Sequence, residues 1–295
     1  MTDVALRSRR DEAEPLRGAA TSEVMFRFLG TDVRVVSANV ALLQHWAAEY
    51  RAFRVPPGPA AITVRVHGDG DGPLLPGRVT IESRGVPWTW WGDRDALPPL
   101  AAPPLDRWMY LRGAAVCRAG QAMLLVAGPR TGTTVLAMSV VARGLSLLAD
   151  GIVPLDPRDL LLAPFPKALR FRREALSLLS IEAAHPALSP VRSRSGTFQW
   201  RADPHALLCS RSARVAAEVG GIAFLDPATG AGERRLEPLA SEQALRRLLR
   251  CLHQPPSDAE TAETALRRLC RSAPAYTLTP ATPDATAALV DKLLG

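Results

Sequence analysis

Lysine is almost missing from this chain. Of its 36 basic residues only Lys167 and Lys292 are lysines, so arginine supplies nearly all the positive charge behind the net +7. Those arginines are scattered rather than gathered into a stripe, and no nucleic-acid-binding motif accompanies them. The basic balance therefore does not point to DNA or RNA; with so much alanine, it fits a GC-rich coding background. Cysteine is as sparse. Cys117, Cys209, Cys251 and Cys270 lack the close paired spacing of a zinc site or a disulfide framework. No run approaches the ~18–20 apolar residues that cross a bilayer. The opening stretch Met1–Arg17 mixes Arg with Asp and Glu without an apolar segment, unlike a secretory signal. These absences set the expectation of a soluble, reducing, cytoplasmic protein.

What is present is apolar bulk: 47% of 295 residues are hydrophobic, enough for one large domain or two smaller ones. Residues 1–23, charged and aperiodic, are expected as a flexible tail. Val24–Phe28 and Val33–Val36 read as strands, and Asn39–Tyr50 as a capped amphipathic helix. Ile62–Val66 and Val79–Glu82 alternate as sheet strands around a Gly68–Gly72 turn. Trp88, Trp90 and Trp91 read as core or interface. This makes a small α+β part over 24–105, joined by the Pro-rich stretch Leu97–Leu105 to a second part over 106–295.

Downstream, Leu145–Ala149 and Ile152–Val153 read as buried strand with Asp150 at its end. Pro186–Pro204 reads as a long surface loop, whose Arg192, Arg194 and Arg201 are solvated or grip an acidic partner. Gly221–Leu225 is a core strand and Ser241–Leu252 a capped helix. Ala259–Arg271 and Asp284–Leu294 are helices around a strand at Ala275–Leu278. No repeat is evident, and His45, His67, His185, His205 and His253 are too isolated to read as ligands.

One stretch carries chemistry: Ala127-Gly-Pro-Arg-Thr-Gly132-Thr133-Thr134, between the apolar run Ala122–Ala127 and the helix-compatible run Thr134–Arg143. Strand, glycine loop and helix in that order aim loop amides and a helix N-terminus at one spot, an anion site. The phosphate-loop pattern is Gly-x-x-x-x-Gly-Lys-Ser/Thr. Here Ala127 takes the first place, Gly132 the second, Thr133 the lysine's, and Thr134 keeps the magnesium-binding hydroxyl. An arginine bias would have replaced the lysine by Arg; the residue is Thr.

From Gly132 the chain runs without gaps through Arg143-Gly-Leu-Ser-Leu-Leu-Ala-Asp150-Gly151. Then come Val153-Pro-Leu-Asp-Pro157, Pro164-Phe-Pro-Lys-Ala-Leu-Arg170 and Leu236–Ala244. Over about residues 107–250 this resembles HPr kinase/phosphorylases and the shorter HPr kinase-related proteins. The resemblance implies an α/β fold, a phosphate-loop, PEP carboxykinase-like mixed sheet flanked by helices. It implies ATP and Mg2+ as cofactors and phosphorylation of Ser on a protein or peptide partner, a ribosomal natural-product precursor being one such peptide. It places Gly128, Arg130, Thr131, Gly132, Thr133 and Thr134 at the nucleotide phosphates, Thr134 and Asp150 at the metal, and Asp150 in catalysis. Three positions depart from the family pattern: Arg112 for a histidine, Thr133 for the lysine and Gly151 for the second aspartate. Arg112, Arg130 or Lys167 then stands to restore positive charge. Two functional readings follow, a divergent serine kinase and a non-catalytic module that binds nucleotide or a partner, alone or as a homo-oligomer. A minor alternative is a PAPS-dependent sulfotransferase, since Pro129-Arg-Thr-Gly-Thr-Thr134 also resembles the phosphosulfate loop of those enzymes.

Overall fold

The computed structural model describes residues 21–67, 77–83, 86–92, 99–128, 131–192, 197–226, 235–254, 259–279 and 282–294. Most of the expected tail, the Gly68–Gly72 turn, Arg130 and Arg194 lie outside them. The chain divides into two compact units after Leu105.

The first unit is a five-stranded sheet with one helix. Its elements are β1 (Ser22–Phe28), β2 (Thr31–Ser37), α1 (Val40–Glu49), β3 (Ile62–His67), β4 (Gly77–Ser83) and β5 (Val86–Gly92), the strands lying in sequence order. Only β2 and β3 are parallel, and α1 supplies the crossover they require. Alternation fixes the inner face: Phe26, Phe28, Val33, Val35, Ile62 and Val64 are fully buried. Leu42, Leu43 and Trp46 of α1 are buried too. The Asn39 side chain accepts from the Leu42 amide and caps α1, as its sequence led one to expect. Trp88, Trp90 and Trp91 fall on β5, and their side chains lie outside what is described.

The second unit is built on a larger mixed sheet. It opens with β6 (Met109–Arg118), β7 (Gln121–Ala127), α2 (Thr133–Ala142), β8 (Ser146–Leu155), β9 (Leu161–Leu162), β10 (Leu169–Phe171) and α3 (Arg173–Leu178). It continues with β11 (Leu188–Arg192), β12 (Phe198–Ala202), α4 (Pro204–Leu208), β13 (Ala217–Leu225), β14 (Arg235–Leu239) and α5 (Ser241–Cys251). The last elements are β15 (Leu252–Gln254), α6 (Ala259–Ser272), β16 (Ala275–Thr279) and α7 (Pro283–Leu293). The large sheet runs β14-β16-β13-β7-β6-β8-β9, with β15 on β6 and β9 also meeting the start of β13. Strands β7, β13 and β16 are parallel, whereas β6 is antiparallel to both its long neighbours, β7 and β8.

One face of this sheet packs on α2 and α7 through Val116, Met123, Leu125, Leu136, Val140 and Val290. Six consecutive residues of α2, Leu136 to Val141, are buried. A helix apolar all round needs cover on every side, and the small sheet β10-β12-β11 provides more of it with Phe171 and Trp200. Arg247 of α5 lies over the Phe224 ring, and Phe224 alternates with Ala223 and Leu225 of the α2 side. Helix α5 therefore covers the opposite face, giving an α/β sandwich with helices on both sides. Among the described residues no helix is long and apolar enough to cross a membrane.

Three expectations need correction. Pro186–Pro204 is not a surface loop: it forms the β11–β12 hairpin, paired from Leu188↔Ala202 to Arg192↔Phe198. Inward Trp200 and Ala202 hold it against the core despite its polar composition. Asp150 does not end a strand, because β8 continues through it to Leu155 against β6. The helix from Ser241 has Ala240 at its cap and no side-chain capping bond.

Gly113 and Gly151 face each other across β6 and β8. A Cβ on Gly113 would run into the backbone carbonyl of Leu125 on β7, which cannot move without disturbing the sheet. Gly113→Ala should therefore cost about 1–3 kcal/mol in equilibrium urea unfolding, the range for overpacking a filled core. A variant as stable as the parent would show that β7 yields locally.

Candidate active site

Strand β7 delivers Gly128 at its carboxyl end, and α2 begins five residues later. Ligands in open α/β sheets gather at such strand ends. Thr131 Oγ1 donates to the Gly128 carbonyl at 2.7 Å, which folds the loop back on itself. Gly132 stands before the helix at φ 91°, a left-handed conformation that glycine adopts without strain. Thr133 opens the helix and Thr134 follows. No acidic side chain lies in the first turn of α2, so its positive end is not neutralised from within.

Thr134 reaches across to the sheet. Its hydroxyl donates to both carboxylate oxygens of Asp150, at 2.9 and 3.1 Å. Asp150 lies opposite Ala114 in the middle of β8 and is only 7% exposed. The run Leu145–Ala149 followed by Asp-Gly reads as a strand that stops. It continues because Gly151 takes φ 77° opposite another glycine, and Ile152–Leu155 resume pairing with β6.

A third side chain completes the group. The segment carrying Lys167 is docked on β8: the Phe165 amide donates to the Leu148 carbonyl at 2.8 Å, and the Ala163 amide to that of Pro154 at 3.0 Å. Phe165 is fully buried beside Ala149. Lys167 then lies over Gly151, where a Cβ would stand 2.9 Å from its Nζ and 3.0 Å from its Cε. Burial pushes the Asp150 carboxyl above its ordinary value of 3.8. The Lys167 ammonium, the Thr134 hydroxyl and the Gly151 amide pull it back only in part.

The structure thus brings Thr134, Asp150, Gly151 and Lys167 together at the start of α2. Arg112 is exposed on β6, and its Nε donates to His253 Nδ1 at 3.4 Å. It also faces Cys251, whose thiol burial pushes up. Arg130 and Pro129 lie outside the described residues. One neighbour escaped the sequence reading: Asp226 follows the Leu225↔Ala127 pair, level with Gly128, and is paired with Arg247 at 3.0 Å. Its only sequence signal is its place just after a core strand.

Magnesium is the metal that the resemblance implies, held by Thr134 and Asp150. It takes oxygen ligands at about 2.0–2.1 Å in near-octahedral order. Here the two candidate ligands are bonded to each other, and a cation already stands beside the carboxylate. Among the described residues no three His, Cys, Asp or Glu side chains gather to add more. With an ammonium acting on their one carboxylate, the described residues offer a magnesium ion little negative charge. Gly151, where the family pattern has a carboxylate, has a left-handed backbone under a lysine.

No family model matches this chain, and no curated protein matches it. Among solved structures it is similar to the Hpr(Ser) kinase/phosphatase from Coxiella burnetii, with 10% identity and a TM-score of 0.29. That match covers 63% of this chain and 93% of the other. It is too loose to assign chemistry.

The raised carboxyl sets a pH dependence. A group whose folded-state pKa lies above its unfolded value stabilises the fold below the unfolded value, and that contribution is lost as pH rises through the folded one. Asp150→Asn removes this titration. Urea unfolding from about pH 4 to about pH 8 should show the parent losing stability relative to the variant as pH rises. A parent that instead gains would mean that Lys167 and Thr134 outweigh burial.

Proposed function

We propose that the loop–helix junction of the second unit binds the phosphates of a nucleotide, ATP in the first instance. Its setting is that of an HPr kinase-related protein, whose ancestral chemistry is phosphorylation of a serine on a protein or peptide. In this chain it serves as a nucleotide-binding module. The observation that carries the reading is the Lys167 ammonium beside Asp150 and Thr134 at the start of α2. A cation from another segment stands over Gly151 and acts on the carboxylate that Thr134 holds, in a chain whose phosphate loop carries Thr133 in the lysine's position.

The division of labour follows from the geometry. The unpaired amides at the start of α2 orient donors toward an anion. Lys167 supplies charge, and Asp150 holds Lys167 by electrostatic attraction. The Thr134 hydroxyl fixes Asp150. Phosphoryl transfer would also need a free base and charge-stabilising groups around the moving phosphoryl. Both Asp150 oxygens accept from Thr134, and position 151 carries no side chain.

One observation favours a second reading, a slow serine kinase: burial makes Asp150 a stronger base than an ordinary carboxylate. The partner in either case is a protein or peptide.

Calorimetric titration with ATP tests the binding. A charge-assisted hydrogen bond contributes about 1.5–3 kcal/mol, so Lys167→Ala should weaken ATP by roughly 10–150-fold. Thr133→Lys should tighten it. Asp150→Asn separates the two functions, since it removes the buried carboxylate that acts on Lys167 and could serve as a base. The module reading expects ATP binding kept or tightened in this variant, with no phosphate transfer by either protein. Turnover by the parent that vanishes in Asp150→Asn would establish the kinase instead.

A further inference from the structure

Resting on that phosphate-binding reading, we propose that the Lys167 ammonium takes the place of the divalent cation. The site then binds the metal-free di- or triphosphate, and magnesium opposes binding instead of supporting it. Three observations converge on this. First, the Asp150 carboxylate, which accepts from the Thr134 hydroxyl, already has the Lys167 ammonium acting on it. A metal would share that one carboxylate with an ammonium that repels it.

Second, Lys167 is not a stray surface side chain. Its segment is fixed to β8 through the Phe165 and Ala163 amides, and the Lys167 amide itself donates to the Phe165 carbonyl at 2.9 Å. The ammonium reaches its place because position 151 is a glycine, and it would contact any Cβ there. A larger residue at 151 would displace it.

Third, the charges decide which form of the ligand fits. One carboxylate and one ammonium sum to zero before any ligand arrives. A magnesium centre works from negative excess, with carboxylates and phosphates around the ion. A neutral pair beside the positive end of a helix favours the more highly charged anion, and that is the metal-free polyphosphate.

The test is calorimetry on the full chain with ATP, and separately with inorganic pyrophosphate, in EDTA and then in excess magnesium. The expected result is tighter binding in EDTA than in magnesium. Lys167→Ala and Lys167→Met should lose at least about tenfold in EDTA, the loss expected for one charged contact. Lys167→Met keeps most of the apolar stem, so a loss in both variants with unchanged melting temperature is not a folding defect. Binding that magnesium leaves unchanged or tightens would overturn the inference and leave the phosphate-binding reading in place. So would a protein-bound Mn2+ signal in electron paramagnetic resonance of the parent without nucleotide. No binding of either probe under either condition would remove both.

Discussion

A carboxylate cannot stand bare inside a sheet. Burying one without partners costs several kcal/mol, and a protein meets that cost with hydrogen bonds and opposite charge. Asp150 imposes this requirement at the centre of the second unit, and its surroundings follow from it. The first turn of α2 has to carry a hydroxyl at Thr134. The segment after β9 has to return along β8 so that Lys167 arrives from the other side. Position 151 has to stay open enough to let the ammonium in.

The opposite end of α2 is treated differently. Arg211 Nη1 donates to the Val141 carbonyl at 3.0 Å, and Arg143 at the helix end shares Asp291 with Arg118, whose bond to that carboxylate is 2.6 Å. Cations thus satisfy the negative end of the helix, and α7, through Asp291, is locked to it. The other end has no acid of its own. The nearest acid at that end is Asp150 on β8, held by the Thr134 hydroxyl.

Much of this architecture was legible from local patterns. Helix α1 announced itself through Asn39 and its apolar period, and β7 and α2 through an apolar run, glycines and a second apolar run. What stayed hidden depended on partners far along the chain. Asp150 reads as a strand end; only the pairing of Gly151 with Gly113 shows the strand running on. The β11–β12 hairpin looked like loop because Trp200 and Ala202 are few among Ser and Arg, and their burial depends on Phe171 and α2. Lys167 stood out in the sequence for its rarity alone. Its position over Gly151 follows from a backbone bond between Leu148 and Phe165, which no local pattern encodes.

The Gly151 backbone also has a bearing on how such a site changes over generations. A carboxylate introduced at 151 meets a left-handed conformation that favours glycine, and it meets the tip of Lys167. The lysine can swing aside, but it would then leave Asp150 with the Thr134 hydroxyl and one amide as partners. A second acid beside a buried first one raises the burden further. The order of substitutions matters as a result. A single change to an acid at 151 meets backbone strain and a displaced lysine together. The glycine thus favours a cation-centred arrangement over a pair of acids.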